Sequence, residues 1–419
     1  MKYRVSHPTK VLKGEIHLTA SKSESNRALI IQALCEDAFE IKNLAKAEDT
    51  RVLNEILQAH KSNLSREERT YDVGAAGTTM RFLTAYLSTQ AGTHILTGTE
   101  RMKNRPIGIL VDALRSIGAD IEYKEKEGYP PLQIKGKELT GSKVLIDGNV
   151  SSQYITALLL IAPTLKNGLT IEFKGEVTSL PYITMTLLMI KEFGVEWDHI
   201  AKDKLIVKPG TYRTFQNDYM VEGDWSSASY WYAFAALSSS VELTIKGLKQ
   251  KSLQGDSKAE RIFNFLGVNT EFGDGEIYLT KGTLKSSEEF KYDFLNCPDL
   301  AQTAATVSSA LQVNAIYTGL HTLRIKETDR SAALQTELEK LGVDVKLIGD
   351  DAMEITPGKL VQQPASIATY EDHRMAMAFA VFALVCDYVD IEEPAVVKKS
   401  YPDFWKDLEN MGFVIEEIA

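Results

Sequence analysis

Three cysteines in 419 residues, at Cys35, Cys297 and Cys386, are too few and too widely spaced for a disulfide framework or a metal-ligand set, and they read as packing residues. The seven histidines form no HxH or HExxH pattern, so no metal site is expected. No segment offers about 18 uninterrupted apolar residues, and the opening MKYRVSHPTKVLKGEIHL lacks the apolar run of a signal peptide. No membrane association is expected, and the expected location is the cytoplasm. Positive charge is also short: 47 Lys and Arg against 57 Asp and Glu leave a formal net charge of −10, a poor match for nucleic acid or an anionic membrane surface. Any anion must therefore be held by a local basic pocket. No GxGxxG follows a strand pattern, and GKELTGSK resembles a P-loop but has Ser142 and Lys143 in the wrong order.

What is present is a repeat. Polar or glycine-containing leaders run into Ala-rich apolar helices at SKSESNRALIIQAL, GAAGTTMRFLTAYL, GNVSSQYITALLLIAP, GDWSSASYWYAFAAL, CPDLAQTAATVSSAL and YEDHRMAMAFAVFAL. From the second onward the spacing is about 75 residues, a fixed period of the kind repeat architectures show. Each first helix is followed by a second, amphipathic one, such as RPIGILVDALRSIGADI or ETDRSAALQTELEKLGVDV, which stops at Gly before a strand pattern. Short paired strands follow, including PLQIKGKEL, LIVKPGTY, EIYLTKGTL and MEITPGKL. The reading is an α/β chain of six β-α-β-α-β-β units. The first helix of each, apolar around most of its circumference, should be buried. Two domains of three units are expected, meeting near Gly223 through a short connection.

The charges at the helix starts are of the wrong sign. A helix N-terminus carries partial positive charge and favours acids. Yet Lys22 and Arg27 open the first unit, Arg105 precedes Pro106 at an expected helix start, and Arg374 lies in DHRMAM. Lys326 and Arg330 frame KETDRSAALQTEL, and Lys399 precedes Ser400, an expected N-cap. Each basic residue could answer a local acid, Asp372 for Arg374 or Asp329 for Arg330. Alternatively the missing negative charge belongs to a ligand, because helix starts with free N–H groups plus Arg and Lys make phosphate and carboxylate sites. GAAGTT and VSSQ suit the same purpose through close backbone approach and short hydroxyls, or are simple caps. Asp299 and Glu327 also lie in leaders, either to complement a helix dipole or to act as an acid and a base beside a bound anion. His373 shares this ambiguity.

In combination, SKSESNRALI, AGTTMRFL, RMKNRPIGILVDALR, VSSQYITALL, SLPYI, VEGDWSSASY, LRIKETDRSAALQTEL, YEDHRMAM and KSYPDF span nearly the whole chain. They resemble the EPSP synthase family of enolpyruvyltransferases. The resemblance implies an enolpyruvyltransferase-like fold of two domains, one of residues 1–20 with 224–419 and the other of residues 21–223, with an active site in the cleft between them. It implies transfer of the enolpyruvyl group of phosphoenolpyruvate to the 5-hydroxyl of shikimate 3-phosphate, with release of phosphate. By motif, Lys22, Ser23, Arg27, Ser151, Ser152, Gln153, Ser179, Tyr182, Asp299 and Lys326 hold shikimate 3-phosphate. Lys22, Gly77, Arg105, Gln153, Arg330, His373, Arg374 and Lys399 surround phosphoenolpyruvate, and Asp299, Glu327 and Lys22 move protons. No cofactor, metal or nucleic-acid partner is implied, and a monomer is expected. The family's glyphosate sensitivity is expected too, with Gly77 leaving room for the inhibitor's phosphonate. Ala75 and Thr322 stand where the family commonly has Asn, and Phe82 where Pro or Leu is frequent. The sister enzyme acting on UDP-N-acetylglucosamine would show a KNA motif and a reactive loop cysteine. Here KSESNR occupies that place, and Cys35 is expected inside an apolar helix.

Overall fold

The computed structural model describes all residues except 63–67, 179, 202, 215, 286–288 and 419, and only the backbone of 200 and 201. The chain divides into two compact units, Ser21–Val221 and Met1–Ala20 with Glu222–Ala419. Among the described residues each unit contains three small sheets.

Four of the sheets repeat one arrangement. A first strand lies parallel to a second, and an antiparallel hairpin then adds the fourth strand next to the second and the third at the edge. In Ser21–Val221, Glu68–Asp72 lies beside Gly92–Thr97, followed by Leu132–Gly136 and Asp120–Tyr123. Lys143–Asp147 lies beside Leu169–Lys174, followed by Lys204–Val207 and Trp197–Ala201. In the other unit Phe290–Asp293, Ala315–Thr318, Ala352–Pro357 and Val343–Ile348 follow the same order. Val11–His17, Ser240–Lys246, Glu276–Lys281 and Val268–Phe272 do so as well, with the first strand supplied from the chain's beginning. The parallel first pair needs a helical crossover, and the hairpin needs only a turn.

The two remaining sheets show how each unit closes on itself. Asp218–Met220, the last strand of Ser21–Val221, pairs parallel with Glu40–Lys42 and serves the earliest repeat. Lys2–Ser6 lies antiparallel between Val389–Glu392 and Val414–Ile418, in the fourth-strand place of the last repeat. Strands borrowed from far along the chain leave no trace in a local repeat.

Each crossover helix is an inner helix. Gly77–Ser88, Trp225–Leu237, Ala301–Ala310 and His373–Phe379 are buried at every residue. Lys22–Leu34 and Ser152–Ile161 are buried over most of their length. A helix wet on no side must be apolar or small all round, and its hydroxyls must find partners inside. They turn back on their own carbonyls: Thr84 Oγ1 donates to Met80 O at 2.7 Å, Ser88 Oγ to Thr84 O at 2.7 Å and Ser309 Oγ to Ala305 O at 2.8 Å. The outer helices are amphipathic, as in Glu48–Ser62, which buries Leu53, Ile56 and Leu57 and leaves the Arg51–Glu55 pair exposed. Five of them are followed by glycine in the left-handed region, at Gly118, Gly194, Gly267, Gly342 and Gly412, with φ between 82° and 105°. A side chain with a Cβ would strain that turn.

The inner helices matter for chemistry because their first turns gather together within each unit. Gln153 Nε2 reaches Thr78 Oγ1 at 3.3 Å in one unit, and Arg374 Nη2 reaches Asp299 Oδ2 at 2.8 Å in the other.

Candidate active site

The two units treat their helix starts differently. In Ser21–Val221 the inner helices begin at Ser21, Ala76 and Ser151, none of them acidic. Ser21 Oγ accepts from Glu24 N and Ser151 Oγ from Gln153 N, each at 3.4 Å, so these serines do cap. Ala76 offers no side-chain cap, and Gly77–Ser88 has no acid in its first turn. Its N-terminal charge is therefore not answered from within the helix itself.

Cations add to that charge. Arg27, 4% exposed, donates from Nε to Thr186 Oγ1 at 2.8 Å, from Nη1 to Ser23 O at 2.7 Å, and from Nη2 to Thr156 Oγ1 at 3.2 Å and Tyr182 O at 3.1 Å. All four acceptors are neutral. Burial, only partly countered by the Tyr182 hydroxyl and Glu24, pushes the guanidinium down to about 10. Arg81, likewise buried, donates from Nη1 to Gly77 O at 3.0 Å and from Nη2 to Pro106 O at 3.1 Å. Burial and then Arg105 push it down to about 10 as well. Lys22 Nζ stands 3.9 Å from Asp49 Oδ2. Arg105 lies directly over Gly77: a Cβ added there would come within 2.3 Å of Arg105 Nη1. Buried guanidiniums whose hydrogen bonds go to neutral oxygens are costly unless something anionic completes them.

The other unit answers its cations with acids. Its inner helices are preceded by Asp224, Asp299 and Asp372, of which Asp224 and Asp372 cap directly, accepting from Ser226 N at 2.8 Å and Arg374 N at 2.9 Å. Arg330 lies at the centre, 1% exposed. Its Nε meets Asp372 Oδ2 at 2.7 Å, Nη1 meets Asp299 Oδ1 at 3.0 Å and Nη2 meets Glu327 Oε2 at 2.9 Å. The remaining carboxylate oxygens are shared out: Arg374 Nη2 to Asp299 Oδ2 at 2.8 Å, and Lys399 Nζ to Glu327 Oε1 at 2.7 Å. Lys326 Nζ is 3.6 Å from Asp299 Oδ1, and buried His373 lies beside Asp372, Nδ1 to Oδ1 3.7 Å. Burial pushes the Asp299 carboxyl up, but Arg374, Lys326 and Arg330 outweigh it and hold it well below the usual carboxylate range. The same balance raises Arg330, where Asp372, Glu327 and Asp299 overcome burial.

The structure thus brings Asp299, Lys326, Glu327, Arg330, His373, Arg374 and Lys399 together in one unit. In the other it places Lys22, Ser23, Arg27, Gly77, Arg105, Ser151, Ser152, Gln153 and Tyr182 at or near the three helix starts. Ser179 lies outside the described residues. Among the described residues no group of three or more His, Cys, Asp or Glu is placed to hold a metal ion.

Several local expectations need correction. Asp372 pairs with Arg330 and Asp299 with Arg374, whereas Asp329 caps Arg330–Glu339 by accepting from Ala332 N at 3.1 Å. Arg105 does not start a helix: Gly108–Ser116 begins after it, with Ile107 at the cap. Ser400 ends the turn Pro394–Lys399, and Asp403 precedes the helix Phe404–Asn410. Cys35 is the C-cap of Lys22–Leu34 and donates to Tyr212 O at 3.3 Å. Arg81, Asp372 and the Thr156–Thr186 pair contact these candidate residues, and the sequence does not single them out for a site. Arg81 had a visible signal, being one helical turn beyond Gly77, and the threonines had none.

Inner helices in two sets of three, clad by small sheets, are the architecture of the enolpyruvyl transferase fold. Solved structures agree on the fold: an EPSP synthase from Acinetobacter baumannii matches with a TM-score of 0.78 at 19% identity, covering 99% of this chain and 100% of that one. The enolpyruvyl transferase NikO from Streptomyces tendae matches with a TM-score of 0.75 at 16% identity, covering 99% and 98%. The chain belongs to the EPSP synthase family. The model of EPSP synthase (3-phosphoshikimate 1-carboxyvinyltransferase) matches residues 6–408. A 3-phosphoshikimate 1-carboxyvinyltransferase from Bacteroides fragilis (strain YCH46) is 48% identical over 419 residues, 99% of both chains, and one from Sulfurovum sp. (strain NBC37-1) is 40% identical over 97% of this chain and 98% of its own.

Proposed function

We propose that this chain transfers the enolpyruvyl group of phosphoenolpyruvate to the 5-hydroxyl of shikimate 3-phosphate, and that both units contribute residues to the reaction. Ser23, Arg27, Ser151, Ser152, Gln153, Ser179, Tyr182 and Lys326 hold shikimate 3-phosphate, and Lys22, Gly77, Arg105, Arg330, His373, Arg374 and Lys399 surround phosphoenolpyruvate. The observation that carries the reading is the sharing of Arg330 by Asp299 and Glu327, with Arg374 and Lys399 on their other oxygens. An arriving anion competes with those carboxylates for the same cations. As it draws the cations away, the proton affinity of Asp299 and Glu327 rises.

One of the two acids then takes the 5-hydroxyl proton as the oxygen attacks the enol carbon. The other, or Lys22, protonates the methylene carbon to give a tetrahedral intermediate that still bears phosphate. Elimination removes a proton from that methyl group and expels phosphate. The charge on both substrates is carried by side chains, so the scheme uses no cofactor. Among the described residues no helix is long and apolar enough to cross a membrane. We take the enzyme to act as a monomer in the cytoplasm. The test of the acids is Asp299→Asn and Glu327→Gln. Each should lower kcat by roughly 10² or more while leaving shikimate 3-phosphate affinity nearly unchanged. A loss confined to substrate affinity would assign both residues to binding.

A further inference from the structure

Beside Arg374 lies a second buried acid that the mechanism does not use. Asp256 sits in the turn Gly255–Lys258 and is 4% exposed. Its Oδ2 accepts a hydrogen bond from Ser226 Oγ, while Oδ1 has no hydrogen-bond partner among the described residues. Ser226 Oγ in turn accepts from Arg374 Nη2 at 3.4 Å, and that same nitrogen donates to Asp299 Oδ2 at 2.8 Å. Tyr230 OH takes Nη1 of Arg374 at 3.3 Å. If an anion competes with Asp299 for this guanidinium, Ser226 and Tyr230 are among the ties that still fix its plane.

We propose that Asp256 is a positioning residue for anion binding: through Ser226 Oγ it orients the guanidinium of Arg374, and its charge tunes how firmly Arg374 holds phosphoenolpyruvate. This rests on the reading of Arg374 as a phosphoenolpyruvate ligand. The groups that act on Asp256 include Asp224 and Ser226 at one helix start, Asp299 in the leader of another and Arg374 on a third; Asp256 in turn acts on Cys297, as does Lys258 from the same turn. Burial and then Asp299 push its carboxyl up to about 7, against the opposing pull of Arg374 and Ser226. Near neutral pH it therefore changes between a neutral acceptor and a negative charge that competes with the substrate for Arg374.

Two variants of the full chain test this, read as KM for each substrate between pH 6 and 8.5 and referred to the parent at each pH, so that the substrate's own titration cancels. Asp256→Asn keeps an acceptor for Ser226 without the charge. It should match the parent's KM for phosphoenolpyruvate at pH 6 and fall several-fold below it at pH 8.5. Ser226→Ala should raise that KM about tenfold, the loss of one hydrogen bond to a charged group, with KM for shikimate 3-phosphate within twofold and Ser226→Thr restoring it. Parallel pH profiles for Asp256→Asn and the parent, or equal rises in both KM values for Ser226→Ala, would overturn the proposal. A lower melting temperature with unchanged KM values would likewise leave both residues only structural. Arg374→Lys separates the two levels. If it leaves KM for phosphoenolpyruvate unchanged, the reading of Arg374 falls and the proposal with it; if it raises that KM while the other variants do nothing, only the proposal falls.

Discussion

Replacing Arg27 with methionine separates a ligand seat from a structural tie. Keeping that guanidinium charged inside the unit is opposed by burial, which pushes it from 12.5 down to about 10; the difference corresponds to about 3 kcal/mol. Methionine removes this cost and fills similar volume with a flexible apolar chain. The hydrogen bonds lost leave few groups stranded. Thr186 Oγ1 still donates to Tyr182 O at 2.9 Å, and Thr156 and Thr186 remain 3.2 Å apart. At about 1.5 kcal/mol each, the lower end for a charged donor, four hydrogen bonds come to about 6 kcal/mol, roughly 3 kcal/mol more than the burial cost. Arg27→Met should therefore destabilise the ligand-free protein by roughly 3 kcal/mol. Its binding of shikimate 3-phosphate should weaken as well: losing a charge-assisted contact worth about 3 kcal/mol weakens binding roughly 10²-fold. Calorimetric titration with shikimate 3-phosphate, beside thermal melts with and without it, reads both quantities. A variant that is destabilised yet binds shikimate 3-phosphate with parental affinity would refute the reasoning and make Arg27 a strut.

Gly77→Ala must push Arg105 aside, because its methyl would come within 2.3 Å of Nη1. KM for phosphoenolpyruvate should rise several-fold with shikimate 3-phosphate affinity retained, and unchanged kinetics would show that Arg105 moves freely without consequence. Glyphosate should inhibit the parent in competition with phosphoenolpyruvate and be weakened more than phosphoenolpyruvate in Gly77→Ala; equal inhibition of both forms would contradict that. Asp256→Asn carries a stability prediction with a definite sign. A carboxyl whose folded-state affinity for its proton is raised to about 7 makes folding less favourable as pH climbs from about 4 toward 7. The melting temperature of the variant should therefore gain on the parent as pH rises from about 4 to somewhat above 7, and a constant difference would count against the buried charge.

The repeat was legible because buried and half-wet helices differ in composition. Ala301–Ala310 reads as small and apolar all round, Glu48–Ser62 as one-sided, and glycines such as Gly342 mark where helices end. The strands Val11–His17 and Lys2–Ser6 could not be assigned to their sheets by period, since their partners lie far along the chain. Cations at helix starts were visible as wrong-signed residues, but their pairing was not. Asp372 sits next to Arg374 in sequence only two positions away and accepts its backbone N–H, yet its carboxylate serves Arg330, because Arg374 turns toward Asp299. Asp256 carried no signal at all, since an acid in QGDSK reads as an ordinary turn residue until its burial against Ser226 is known.

The central claim, that anionic substrates complete these two sets of helix starts in an enolpyruvyl transfer, is tested most directly by phosphate release with the purified full chain and phosphoenolpyruvate. Three conditions suffice: shikimate 3-phosphate, UDP-N-acetylglucosamine, or no acceptor. Steady release with shikimate 3-phosphate alone is the predicted result. Equal release with UDP-N-acetylglucosamine would assign the sister reaction, and no release with any acceptor would make this an anion-binding scaffold and contradict the account.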